Sequence, residues 1–262
     1  MFPEFVYEVI FLMADTNNTG KIEGRNPVCE AIKSGRPIDK IFVQQGEKNG
    51  SIRKIIALAK EKKIVISEVD RAKLDKMSET KSHQGVIAFA AAKEYSTVED
   101  ILRLAEKRGE KPFVVIADDL NDPHNLGSII RTANAAGAHG IIIPKRNSVG
   151  LSPVVDKTSA GALEFMHVAR VSNLPSAIET LKKANVWIVG ADMDGDRTIY
   201  THDFSGGVGI VVGSEGKGIS RLVKEKCDFI VRIPMFGDIN SLNASVAAAL
   251  MIYEVTRTRC QE

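Results

Sequence analysis

Apolar and polar positions follow two different rhythms along this chain. In the first third, short apolar runs alternate with stretches whose apolar residues recur at helical spacing. They predict a strand at Lys40–Gln44, a helix at Ser51–Lys62, a strand at Ile64–Ile66, a short helix at Asp70–Met77 and a strand at Gly85–Ala91. A helix ahead of these is capped by Asn26, opened by Pro27 and ended near Lys33 by Gly35 and Pro37. This alternation describes a small α/β unit closing near Ala92. Lys93 to Lys111 is charged throughout, with Val98, Ile101, Leu102 and Ala105 on one helical stripe, and reads as a partly helical connection.

From Pro112 the apolar runs become continuous, as in strands buried on both faces of a parallel sheet. The predicted order is strand Phe113–Ala117, a helix through Ile129, Ile130, Ala133 and Ala136, strand Gly140–Pro144, helix Leu174–Ala184, and strands Val186–Gly190 and Val208–Gly213. Helix Ile219–Glu225, strand Phe229–Ile233 and an alanine-rich helix from Ala244 through Val255 complete it. The predicted fold class is α/β, a doubly wound parallel sheet, in which ligands gather at the carboxyl ends of the strands.

Composition narrows the field only a little. The 262 residues suit one large domain or two ordinary ones, and 44% hydrophobic with 26% charged content describes a soluble globular protein. The apolar start, Phe5 to Ala14, carries Glu8, lacks a basic flank and is too short to span a bilayer, so it predicts a short helix or an extension and no membrane partner. Three cysteines far apart, with no C-x-x-C pair, argue against a zinc site or a disulfide framework and point to a reduced, cytoplasmic setting. A net charge of +2 leaves any nucleic-acid site to the distribution of cations. Arg25, Lys33, Arg36, Lys40, Arg71, Lys73, Lys76 and Lys81 crowd the first unit, as a solvated face or an RNA-facing one. His83, with no acidic or nucleophilic neighbour in sequence, reads as a loop histidine that bonds locally or touches a ligand.

Three polar loops follow strands. Asp238 to Ser245 is dense in Asn, Ser and Asp; Ser241 or Asn243 can cap the following helix, and free amides at a helix start can also hold a ligand. Gly213–Ser220 is glycine-rich, but Val211 and Gly218 stand where a P-loop needs glycine and Ser/Thr, and Arg221 replaces the third glycine of a dinucleotide fingerprint. Glu215 in its middle would repel phosphate, yet it suits a hydroxyl or a cation. In Asn121–Arg131, Asn125 is placed just before a helix and Arg131 nearly two turns into it. Asp118, Asp119, Asp122 and His124 allow a metal-ligand reading but have no evident distant partner, and Asp192–Asp196 resembles a calcium loop with its glycine misplaced, so a surface turn is expected there.

Together, Asn121–Arg131, Ile210–Gly218 (IVVGSEGKG) and Ile233–Ser245 (IPMFGDINSLNAS) resemble the three motifs of the SpoU (TrmH-type) RNA ribose 2′-O-methyltransferases of the SPOUT superfamily, over about residues 112–257. The segments GRNPV and KSHQGVIA are similar to the branch that methylates a guanosine of 23S rRNA. The resemblance implies an RNA substrate-binding domain similar to ribosomal proteins at 21–92 and a methyltransferase domain at 112–262 with a deep trefoil knot, joined by the linker at 93–111; the extension at 1–20 has no counterpart in it. It implies S-adenosylmethionine bent in the knot, held by backbone near Gly190, Gly213, Ile233 and Leu242 with Met235 and Ser241 close by. Family proposals make the residue matching Arg131 a base or hydroxyl activator. Because arginine stays protonated, a clamp on the nearby phosphate and a stabiliser of alkoxide charge is the better role.

Asn125 would orient the ribose or Arg131, Glu215 would hold Arg131 or accept from the nucleotide, and Ser241 and Asn243 would complete the pocket. Taken singly, Asn125 and Asn243 are plain caps and Glu215 is an ion-pair partner of Lys217 or Arg221. The resemblance also implies a homodimer through the carboxyl-terminal domain, whose small-residue helix suits close packing. A tRNA substrate, a resistance-type rRNA site and a non-catalytic RNA binder are the alternatives.

Overall fold

The structure, a computed structural model, describes residues 20–47, 50–238 and 241–260; the amino-terminal extension and Asn240 lie outside the described residues. The first unit is a four-stranded sheet of β1 (Lys21–Glu23), β2 (Ile38–Gln44), β3 (Val65–Val69) and β4 (Val86–Ala90) in the order β1-β4-β2-β3, with only β2 and β3 parallel. Helices α1 (Arg25–Lys33), α2 (Gly50–Glu61) and α3 (Arg71–Met77) accompany it. Val28, Ile32, Ile41, Ile55, Ala59 and Val86 form its core.

Two sequence expectations change here. Asn26 lies inside α1 and does not cap it. Gly24, at φ 93°, occupies the cap, and its N–H donates to Val86 O at 3.2 Å, a turn for which a side chain at that position would be strained. His83 does have an acidic neighbour in space: its Nε2 lies 2.9 Å from Asp75 Oδ1, and Nδ1 accepts from the Gly85 N–H at 3.0 Å. At 3% exposure it braces the turn before β4.

The same turn is tied to β1 through Glu23, whose carboxylate accepts from Ser78 Oγ, Thr80 Oγ1 and the Glu79 N–H. Burial opposes its charge, but these hydrogen bonds outweigh it and hold the carboxyl at about 2, below its ordinary 4.5. A depressed carboxyl stabilises the fold above its unfolded pKa, and that contribution is lost as pH falls through the folded value. The melting temperature of the parent is therefore expected to drop between pH 4.5 and 2 more steeply than that of Glu23→Gln; parallel curves would refute this assignment.

The second sheet has seven parallel strands: β5 (Phe113–Ala117), β6 (Gly140–Pro144), β7 (His167–Val171), β8 (Val186–Ala191), β9 (Arg197–Thr198), β10 (Gly207–Val212) and β11 (Phe229–Arg232). Their order is β7-β6-β5-β10-β8-β11-β9. The chain steps outward from β5 to β7, crosses to the far side with β8, and later inserts β10 between β5 and β8. The loops after β5, β8, β10 and β11 are thereby brought to one end of the sheet. Helices α5 (Pro123–Ala135), α6 (Pro153–Ser159) and α9 (Ala244–Arg259) cover one face, and α4 (Val98–Arg108), α7 (Leu174–Lys183) and α8 (Arg221–Lys224) the other. α8 is shorter than its pattern predicts, α9 runs past Val255, and α6, β7 and β9 had no recognised signal.

The connecting segment packs on this sheet. Ser96 bridges to Ala169 of β7, Thr97 and Asp100 form a capping box at the start of α4, and Val98, Ile101 and Ala105 are buried. The two sheets meet at a nearly buried ion pair. Arg170 Nη1 of β7 lies 2.7 Å from Asp39 Oδ1 of β2 and also donates to the Asp39 carbonyl at 3.1 Å. The Tyr95 hydroxyl donates to the same carboxylate and accepts from Leu151 N at 2.9 Å.

Candidate active site

The site is assembled from the loops at the carboxyl ends of β5, β8, β10 and β11. After β10 the chain doubles back: Ser214 and Gly218 exchange backbone hydrogen bonds of 3.1 and 3.0 Å, with Gly216 and Gly218 at positive φ. Asp118, just past β5, accepts from the Ser220 N–H at 2.7 Å and pins this loop to its neighbour.

The projecting Glu215 joins all three motifs. Its Oε1 accepts from Asn125 Nδ2 at 2.9 Å and from Asn243 Nδ2 at 2.6 Å, while Asn243 Nδ2 also reaches Asn125 Oδ1 at 2.9 Å. Asn243 is at the same time the cap of α9, its Oδ1 accepting from the Ser245 N–H at 2.9 Å. The carboxylate of Glu215 thus lies at the amino end of a sixteen-residue helix, where negative charge is stabilised.

Asn125 is placed differently from its expected position. It lies inside the first turn of α5 and is 6% exposed, and the cap is Asp122, which accepts from the His124 N–H at 2.8 Å. Glu215 pairs with neither Lys217 nor Arg221, since Arg221 bonds Glu225 at 3.0 Å, and it makes no bond to Arg131. Arg131 is exposed on α5 with no hydrogen-bond or ion-pair partner among the described residues.

Beside this triangle lies a cavity of about 240 Å³, in which Gly213, Ile233, Met235, Ser241 and Leu242 all take part. Gly190 does not line it. A Cβ there would come within 2.9 Å of Ile219 and Ile230 and 3.0 Å of Cys227 Sγ, so this glycine permits close packing one residue before the cavity wall. Ala191 and Asp192 follow it and do line the cavity. Asp192, which the sequence suggests as part of a surface turn, pairs with Lys224 at 3.1 Å; its place directly after a buried strand is the signal that could have found it. Ser214, also missed, lines the cavity with a buried hydroxyl that has no partner among the described residues.

Of the glycines, Gly213 has the tightest surroundings. A Cβ there would stand 2.1 Å from the carbonyl carbon of Gly218 and 2.3 Å from Ile219 N, contacts no rotamer change relieves. Gly213→Ala is expected to cost about 1–3 kcal/mol of stability through overpacking and to lower cofactor affinity at least tenfold. Unchanged affinity by calorimetry would refute this.

A parallel α/β sheet whose carboxyl-end loops fold over a cavity walled by apolar residues and glycines defines an enzyme of the class that binds a nucleotide-like cofactor. Residues 112–253 match the SpoU rRNA Methylase family and residues 21–96 match the RNA 2′-O ribose methyltransferase substrate binding domain. The chain belongs to the SpoU rRNA methylase family and is an RNA methyltransferase.

It is 49% identical over 236 residues to a Bacillus subtilis protein assigned to the TrmH family of tRNA/rRNA methyltransferases, covering 90% of this chain and 94% of that one. Its fold is similar to the SpoU methyltransferase AviRb of Streptomyces viridochromogenes in complex with AdoMet, at 26% identity and a TM-score of 0.58, covering 92% of this chain and 90% of that one. An AdoMet-bound rRNA methyltransferase of Sinorhizobium meliloti is similar at 25% identity and a TM-score of 0.58, with 97% of this chain and 94% of that one covered.

Proposed function

We propose that this protein transfers a methyl group from S-adenosylmethionine to the ribose 2′-hydroxyl of a guanosine in 23S rRNA. The observation that carries the reading is the Asn125–Glu215–Asn243 triangle at the cavity, which ties the three motif loops into one site. The cavity fits the cofactor: Val212, Ile233 and Leu242 suit a flat ring, the glycine loop lets backbone approach it, and the unpartnered Ser214 hydroxyl and the Asp192 and Glu215 carboxylates suit its polar and cationic parts. The bound cofactor supplies a methyl group on a sulfonium, already a good leaving group.

As the oxygen–methyl bond forms and the carbon–sulfur bond breaks, the hydroxyl proton leaves to solvent, and what remains for the protein is to position the attacking oxygen and stabilise its charge. Arg131, whose guanidinium has no partner among the described residues, takes the neighbouring phosphate and the developing alkoxide. Asn125 and Asn243, held by Glu215, fix the first turn of α5, and so Arg131 further along it, relative to the cavity. The trefoil knot belongs to the same reading. Supporting it is the close approach of the segment after β8 to β11: a Cβ on Gly195 would lie 2.5 Å from the carbonyl carbon of Val231.

The substrate-binding domain supports an RNA of complex shape, and Arg36, Lys73, Lys76 and Lys81 carry no ion pair among the described residues, leaving them for phosphates. A cytoplasmic setting accords with three free cysteines, and no helix among the described residues is long and apolar enough to cross a membrane. A homodimer through α9 is supported by the exposed Val246, Leu250 and Tyr253, which share a groove with Ser128 and Thr132 of α5. Equilibrium sedimentation is expected to show twice 28.5 kDa at micromolar concentration, and a monomer alone would exclude it.

The deciding experiment is transfer of radiolabelled methyl to unmodified 23S rRNA and, separately, to tRNA. Label on one 23S guanosine 2′-oxygen is expected. Label on tRNA alone would overturn the substrate while keeping the chemistry.

A further inference from the structure

We propose that a second cavity, at the opposite end of the large sheet from the cofactor site, receives one unstacked nucleobase of the RNA. The inference rests on the reading that this chain acts on RNA. The cavity, about 190 Å³, is lined by Trp187, His202, Phe204 and Phe229, with Arg197 and Asp203 also contributing. Trp187 and Phe229 stand at the starts of β8 and β11, whereas the cofactor cavity begins where β8 ends. Trp187 lines this cavity and Ala191 the other, and the four residue steps of β8 between them span roughly 13 Å.

Three features point to a base. First, Trp187 and Phe229 form an exposed corner over His202 and the core residue Phe204. Trp187 is 56% and Phe229 38% exposed, with ring centroids 5.8 Å apart and tilted by 52°, while His202 stands 4.9 Å from Phe229 and 4.7 Å from Phe204. Exposed aromatic faces of this kind are what single-stranded RNA bases stack on.

Second, His202 is 8% exposed, and its buried Nδ1 has no hydrogen-bond partner among the described residues. Burial, with Arg197 adding to it, pushes its pKa down, so at neutral pH it offers one N–H and one lone pair. Burial closes Nδ1 to an incoming ligand, whereas Nε2 makes no hydrogen bond among the described residues, and the edge of a base supplies a donor or an acceptor to match either tautomer there.

Third, Arg197 is exposed with no ion pair among the described residues, and the nearby Asp203 carboxylate is engaged by the Ser205 N–H at 2.8 Å and hydroxyl at 3.0 Å. The cation is therefore left for a phosphate. A cavity of this volume accepts a single ring system and is too small for a peptide strand or helix.

Trp187 is the only tryptophan in the chain, so its emission reports this cavity alone. The full-length protein, with its cofactor site filled by S-adenosylhomocysteine, would be titrated with twelve-residue oligouridylate and oligoadenylate. Anisotropy of the same oligomers carrying fluorescein would measure total binding in parallel. Saturable quenching of Trp187 is expected. His202→Phe, which keeps an aromatic ring and removes both nitrogens, and Arg197→Ala should each raise the quenching midpoint about fivefold or more, with S-adenosylhomocysteine affinity unchanged.

Binding by anisotropy without quenching, or a midpoint unmoved in both variants, would overturn the proposal and leave the RNA reading standing. No binding by anisotropy would overturn the proposal, while the RNA reading is decided separately by methyl transfer to structured RNA. Emission that changes with protein concentration alone, and is then insensitive to RNA, would assign the cavity to a second copy of the chain and overturn the proposal.

Discussion

Arg131→Ala is expected to fold and bind S-adenosylmethionine as the parent does, yet to transfer methyl at least about 100-fold more slowly, the scale on which losing one preorganised charge-stabilising group acts. The side chain is exposed on α5 and bonded to nothing among the described residues, so its removal leaves no buried partner unsatisfied. Arg131→Lys should recover only part of the rate, because an ammonium cannot bridge a phosphate and a ribose oxygen with a planar fork. Single-turnover methyl transfer beside calorimetric cofactor titration separates the two effects. A rate within threefold of the parent would remove Arg131 from the chemistry. The amides differ in kind: truncating Asn125 breaks bonds to Glu215 and Asn243 together, so stability and rate fall jointly.

Asp39→Ala is expected to cost about 3–5 kcal/mol in urea unfolding, because it strands the guanidinium of Arg170 in a nearly buried site. Burial pushes the Asp39 carboxyl up and Arg170 pulls it back, while burial and the Asp39 charge push the Tyr95 phenol up, so it remains a donor. Arg170 Nε is itself buried without a partner among the described residues. This is a junction in which desolvation offsets much of the attraction. Replacing both charges, as Asp39→Leu with Arg170→Met, is therefore expected to recover most of the loss.

Since the pair is a contact between the RNA-binding sheet and the catalytic one, Asp39→Ala should also weaken methylation of structured RNA more than cofactor binding. A single-variant cost below about 1 kcal/mol, or a double variant no better than the single, would contradict this account.

Much of the fold could be read from local pattern. Phe113–Ala117 and Gly140–Pro144 appear where their continuous apolar runs place them, because a strand buried on both faces has no polar position to blur its ends. Asn243 caps α9 at Ala244 as its polar-to-alanine boundary implies. Strands of two or three residues, β9 and β1, carry too few positions for any period and exist through their neighbours, as in the pairing of Ile22 with Ala88. Gly24 and Gly190 are similar cases. Their glycines answer to a turn angle and to atoms of distant residues, which the surrounding letters do not record.

By itself, the sequence determined which loops are polar and where the buried strands run, and its three motif loops carry the family resemblance. Only the tertiary structure decided that Glu215 holds Asn125 and Asn243, across separations of 90 and 28 residues, and leaves Arg131 without a partner among the described residues. Burial is encoded locally in hydrophobic period. The meeting of those loops depends on β10 entering between β5 and β8, a consequence of how the whole sheet minimises exposed apolar surface.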